Sequence, residues 1–178
     1  MKKEILKKIY KYFLISIFLI IFLILFTLTL FLILSNMREE FEYYEVNPAS
    51  GRFVNVDNIN IHIHEIGPKN GSVIFFVHGT GAWSYIWEET MKELEKEGFR
   101  SIAIDIPPFG YSERPKTNSY TTIDQANRIN SVLDSLNVTQ VTLVGHSFGS
   151  RAMMESYFLS HSRVKSLVLI DSSLDINS

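Results

Sequence analysis

The chain has 178 residues, 46% of them hydrophobic and 13% aromatic, enough apolar mass for one packed domain and too much for a disordered chain. It contains no cysteine, which excludes disulfide scaffolds, cysteine-ligated metal centres and cysteine nucleophiles together. The net charge of −2 hides an asymmetry: residues 1–37 hold five lysines against one glutamate, or +4, so residues 38–178 carry −6, which speaks against nucleic acid as a partner of the larger part.

From Tyr12 to Met37 run 26 uncharged residues dominated by Ile, Leu and Phe, where about 20 suffice to cross a bilayer at about 1.5 Å per residue. A soluble core helix of this length would show a polar face, and only Ser16, Thr27, Thr29, Ser35 and Asn36 interrupt this run. Lys2, Lys3, Lys7, Lys8 and Lys11 would also suit the charged start of a secretory signal. A signal's apolar region, however, is about 7–15 residues long and ends in a small-x-small cleavage site, whereas this run is longer and leaves through Ser35-Asn36-Met37-Arg38-Glu39. Residues 1–37 are therefore expected to form a lysine-rich tail and an uncleaved single-pass membrane anchor. Five lysines before the span against Arg38 after it put the N-terminus in the cytoplasm and the rest on the outer or lumenal side.

Residues 38–51, with four glutamates, Pro48 and Gly51, read as a polar tether. Residues 52–56 and 59–66 alternate in polarity and form a β-hairpin turning at Asp57-Asn58. His62 and His64 share one strand face. Metal sites need three or four ligands, no third lies close in sequence, and the face is expected to be solvated.

Beyond the turn Gly67–Gly71 the pattern changes to apolar runs separated by helical stretches. Strands buried on both faces are expected at 73–77, 100–104, 141–144 and 164–170, with helices at 83–97, 122–136 and 148–160. This alternation is the mark of a parallel sheet covered on both sides, so residues 52–178 read as an α/β domain with an antiparallel leading hairpin.

Gly145-His146-Ser147-Phe148-Gly149 fits G-x-S-x-G between a buried strand and an amphipathic helix. Reversing from strand to helix within about one residue forces strained backbone angles on Ser147 and requires small residues two positions either side. The serine is then a nucleophile presented above the sheet edge, with the Phe148 N–H at the helix start as one oxyanion donor. The strand 73–77 runs into His78-Gly79-Thr80-Gly81, and Thr80 is the candidate second donor. Residues 104–112, rich in proline and glycine, form a third loop at the same edge, read as structural support.

These residues resemble the α/β-hydrolase fold family, in the branch of esterases, epoxide hydrolases and haloalkane dehalogenases. The likeness covers about residues 52–175: the leading hairpin; His78, Gly79 and Trp87; Asp105, Pro107, Gly110 and Ser112; and the elbow at Ser147. Pro108 stands where the family commonly has glycine, and Gly81 where many of this branch have proline. The resemblance implies a Ser, acid, His order and, because dehalogenases and epoxide hydrolases carry aspartate at the elbow, acyl chemistry on a small ester substrate. It implies no cofactor and no metal.

Only His161 follows the serine, 14 residues along a helix and so roughly 20 Å away, which excludes it as base. His146 and His78 are read as loop-packing residues, and Asp171 as capping a turn rather than as the catalytic acid. The expected protein is thus a membrane-anchored serine hydrolase whose sequence here is a fragment, lacking the cap, the last strands and the catalytic histidine. Strand 164–170 would then be an unprotected sheet edge. The competing reading is a tethered, catalytically inert module of the same fold.

Overall fold

The computed structural model describes residues 2–37, 51–117 and 119–172, so the expected tether lies, apart from Gly51, outside the described residues. The chain divides into two compact units, Met1–Glu42 and Tyr43–Ser178.

The first unit is the helix α1 (Lys2–Met37), about 54 Å long at the usual rise. Its stretch Lys3–Ser35 is apolar and long enough to cross a membrane, and none of it is buried. The hydroxyls that interrupt it donate back to the preceding turn, Ser16 to the Tyr12 carbonyl at 2.9 Å, Thr27 to Leu23 at 2.9 Å and Thr29 to Leu25 at 2.8 Å. Each of these three hydroxyl protons is thereby satisfied within the helix.

The second unit is built on a six-stranded sheet. Strands β1 (Arg52–Val56), β2 (Ile59–Ile66), β3 (Val73–Val77), β4 (Arg100–Ile104), β5 (Val141–His146) and β6 (Val164–Ile170) lie in the order β1-β2-β4-β3-β5-β6. β3, β4, β5 and β6 pair in parallel, while β1 with β2 and β2 with β4 are antiparallel. The hairpin turns through Asp57 and Asn58 with φ of 51° and 62°, the left-handed pair of a two-residue turn that Asp and Asn tolerate best among non-glycine residues.

Alternation along the central strands divides the core between two faces. Phe75, Val77, Ile102, Ile104 and Leu143 pack with Ile129, Leu133 and Met153 from α3 (Thr122–Ser135) and α4 (Phe148–Ser160). Phe76, Ala103 and Val144, displaced by one residue, pack on the other face with Trp87 and with Met91 of α2 (Glu88–Lys96). The Thr121 hydroxyl accepts from the Asp124 N–H while the Asp124 carboxylate accepts from the Thr121 N–H, a reciprocal cap that fixes the start of α3.

Two expectations are corrected. Residues 83–97 are not one α-helix: a 3-10 turn at Ser84–Trp87, whose first N–H is accepted by the Asp105 carboxylate, precedes α2. His62 and His64 are not solvated; they are 0% and 4% exposed, covered by Phe53 and Tyr111 and by Tyr85 respectively. Strand β6 is the unprotected sheet edge expected of it, with Val168, Leu169 and Ile170 at least 40% exposed.

Candidate active site

The sheet delivers three loops to one edge, after β3, β4 and β5. At the third, Ser147 has φ 50° and ψ −118°, a backbone conformation that costs a non-glycine residue about 1–3 kcal/mol. It is held there by named contacts. The Ser147 N–H donates to Ile170 O of β6 at 3.1 Å, and its carbonyl accepts the Ser150 N–H at 3.0 Å, which starts α4.

The flanking glycines are steric requirements. A methyl group on Gly145 would lie 2.9 Å from the Ser150 Cα. One on Gly149 would lie 2.6 Å from the Val77 carbonyl oxygen and closer still to that of His78. The helix start is thus pressed against the end of β3.

Gly79 completes this junction. A methyl there would meet the His146 ring at 2.8 Å and the Ser147 Cβ at 3.2 Å, so the loop after β3 lies directly on the elbow. Thr80 follows on the exposed side. Within the described residues no hydrogen bond uses the backbone N–H of Thr80 or of Phe148. Phe148 opens α4, so its N–H is one of the groups a helix leaves without an internal partner. Ser147 and Phe148 thus meet the loop at Gly79, the residue before Thr80.

The histidines are committed elsewhere. His78 is buried; its Nδ1 donates to Gly79 O at 2.7 Å and its Nε2 accepts from the Ile106 N–H at 3.0 Å. Burial lowers its pKa against the raising effect of the Gly79 contact, which keeps the ring neutral and able to accept. His146 lies against Gly79, and its Nδ1 is buried without a hydrogen-bond partner among the described residues. His161 stands beyond the 13 residues of α4, packed on the Tyr157 ring.

Asp171 directly follows Ile170, which pairs in register with His146, so it emerges beside the elbow; it is exposed and adopts φ 44°. Among the described residues no group of three or more His, Asp or Glu is placed to hold a metal ion.

One cluster escaped the sequence reading. The Asp105 carboxylate, fully buried at the end of β4, accepts from His62 Nδ1 at 2.9 Å, from the Tyr111 N–H at 2.9 Å and from the Ser84 N–H at 2.5 Å. Burial alone would raise its pKa, but the hydrogen bonds from His62, Tyr111 and Ser84 outweigh that and hold it below the ordinary range. Gly110, at φ 61°, allows the loop to wrap this closely, since a methyl there would strike the carboxylate. The available signal was an aspartate ending a buried strand, with a histidine on the adjoining antiparallel strand.

A family model described as the alpha/beta hydrolase fold matches residues 72–178. Epoxide hydrolase 2 of Siraitia grosvenorii is 36% identical over 118 residues, 65% of this chain and 36% of that protein. The 2-hydroxymuconate semialdehyde hydrolase of Pseudomonas sp. (strain CF600) is 35% identical over 131 residues, 71% of this chain and 45% of its own. Among solved structures, a bacterial membrane phospholipase A superposes with a TM-score of 0.67 at 31% identity, covering 70% of this chain and 40% of that one. The chain thus spans less than half the length of these relatives.

Proposed function

The chain belongs to the α/β-hydrolase fold family, and from that we propose that it is a membrane-anchored serine hydrolase acting on carboxylic esters or related acyl compounds through Ser147. The observation that carries this reading is the elbow: a serine at φ 50° with the loop of Gly79 and Thr80 packed on it.

The Ser147 Oγ attacks the carbonyl carbon as its proton passes to a general base, and the resulting oxyanion accepts from the N–H groups of Phe148 and Thr80. Collapse expels the alcohol, which takes the proton from the base. Water then attacks the acyl-serine ester by the same route, releasing the acid and restoring the hydroxyl. A serine ester is released by attack at the acyl carbon, which favours acyl substrates over the epoxides named for one relative.

The base is a histidine outside the five of this chain, because His62 is held by Asp105, His64 is buried against Tyr85, His78 is bound at both ring nitrogens, the His146 ring lies against Gly79 from the position before the nucleophile, and His161 lies about 20 Å along α4. The same observation favours the second reading, an inert tethered module. α1 is the anchor, with its lysine end in the cytoplasm, and the likeness to a membrane phospholipase A supports ester chemistry at a bilayer.

Hydrolysis of p-nitrophenyl butyrate by the native protein in its membrane tests the choice. Turnover that Ser147→Ala abolishes is expected; a folded native protein with no Ser147-dependent turnover leaves the inert module.

A further inference from the structure

The loop that carries Thr80 is fastened at both ends to the end of β4. At its start, His78 Nε2 accepts from the Ile106 N–H at 3.0 Å. At its finish, the Ser84 N–H donates to Asp105 Oδ1 at 2.5 Å. Between these points the Gly79 carbonyl accepts from both His78 Nδ1 at 2.7 Å and the Ala82 N–H at 3.3 Å. Beyond that turn the fastening at Ser84 depends on where the Asp105 carboxylate points.

That direction is set from β2. His62 Nδ1 donates to Asp105 Oδ2 at 2.9 Å, and both side chains are 0% exposed. The His62 ring is wedged edge-on between Phe53 and Tyr111. Its main chain is tied to the same place: the His62 N–H donates to Ser112 Oγ at 2.9 Å, Ser112 Oγ donates to Asp105 O at 2.6 Å, and the Asp105 N–H donates to His62 O at 3.0 Å. A fully buried pair cannot meet substrate, and a buried carboxylate with three donors is rigid in a way an exposed one is not.

We infer that His62 and Asp105 are positioning residues for the oxyanion hole: His62 orients the Asp105 carboxylate, which fixes the far end of the loop at Ser84 and thereby sets where the Thr80 N–H points. The inference rests on the reading of Ser147 as nucleophile and adds an element that acts through the loop. A displacement of about 1 Å of a catalytic group costs on the order of 100-fold in rate, so a loop released at one end loses most of this donor's contribution.

The test uses the whole native protein in its membrane with two substitutions that separate packing from hydrogen bonding. His62→Asn keeps an amide donor near the Nδ1 position, and His62→Leu fills space without one. Hydrogen exchange of peptides spanning residues 78–87, with peptides from β3 and β5 as internal references, reports the loop directly; kcat and KM on a soluble activated ester report its consequence.

His62→Leu is expected to speed exchange in 78–87 at least tenfold with the strands unchanged, and to lower kcat about 10- to 100-fold with KM within twofold. His62→Asn should restore both. A folded His62→Leu protein with wild-type exchange in the loop, or with undiminished kcat, overturns the inference. If the wild type hydrolyses nothing, the hydrolase reading falls while the exchange measurement still decides the fastening. Should His62→Leu not fold, Asp105→Asn, which keeps the side-chain shape and removes the charge, is measured in its place with the same outcomes.

Discussion

A single methyl group added at Gly149 sets two effects against each other. Gly149 lies in the first turn of α4, and replacing a helical glycine by alanine gains about 1 kcal/mol from backbone entropy. The new Cβ would stand 2.6 Å from Val77 O and closer still to His78 O, where ordinary contact starts at 3.4 Å, so the helix start and the end of β3 must separate by more than about 0.8 Å. Overpacking of this kind costs about 1–3 kcal/mol, and here the obstacle is main chain, with no side-chain end to swing aside. The cost therefore falls in the upper part of that range, about 2–3 kcal/mol, and after the helical gain Gly149→Ala is expected to destabilise by roughly 1–2 kcal/mol, lowering the melting temperature by several degrees. Because β3 leads straight into the Thr80 loop, hydrolysis should fall by a larger factor than stability alone explains. Both tryptophans, Trp83 and Trp87, lie in the sheet domain, so their fluorescence follows its melting without interference from α1. A Gly149→Ala protein as stable as the wild type, or more so, would show that helix propensity prevails and that the elbow is not pressed on β3 as described.

Ser147→Gly should abolish hydrolysis yet raise stability by about 1 kcal/mol in the same melting assay, since glycine adopts φ 50° freely; a destabilised variant would refute the strain. Asp105, with its folded pKa depressed, contributes stability that is complete above its unfolded value near about 3.9 and is lost as pH falls through the lower folded value. The difference in urea midpoint between wild type and Asp105→Asn should accordingly shrink from pH 6 to pH 3, and a constant gap would contradict this. Immunodetection against residues 85–120 in the membrane fraction should reveal a native band clearly above the 20.5 kDa of this chain, because the proposed base lies outside its five histidines; a band at that mass would favour the inert module.

The elbow was legible because its demands are local: a reversal between a buried strand and a helix needs glycine at 145 and 149 and strain at 147, and the contacts show why. Strand positions were legible for a similar reason, since the apolar run 73–77 and the apolar stretch Ile102-Ala103-Ile104 are short, buried and bounded by turn residues, as central strands of a covered sheet are. What failed was non-local. Alternation assigns His62 and His64 to the face opposite Ile61 and Ile63, but whether that face meets water depends on residues outside the strand that fold over it, Asp105, Tyr111 and Ser112 at His62 and Tyr85 at His64. The 3-10 turn at Ser84–Trp87 failed likewise, because the helical spacing of its side chains says nothing of the Asp105 carboxylate that holds its first N–H.

The central claim is that Ser147 is an activated nucleophile. Its most direct test is peptide mass mapping of the native membrane protein after treatment with a fluorophosphonate. The expected result is one phosphonyl adduct on the Ser147 peptide, absent after heat denaturation and absent in Ser147→Ala. A folded protein left unmodified at Ser147, or modified equally before and after denaturation, would contradict it.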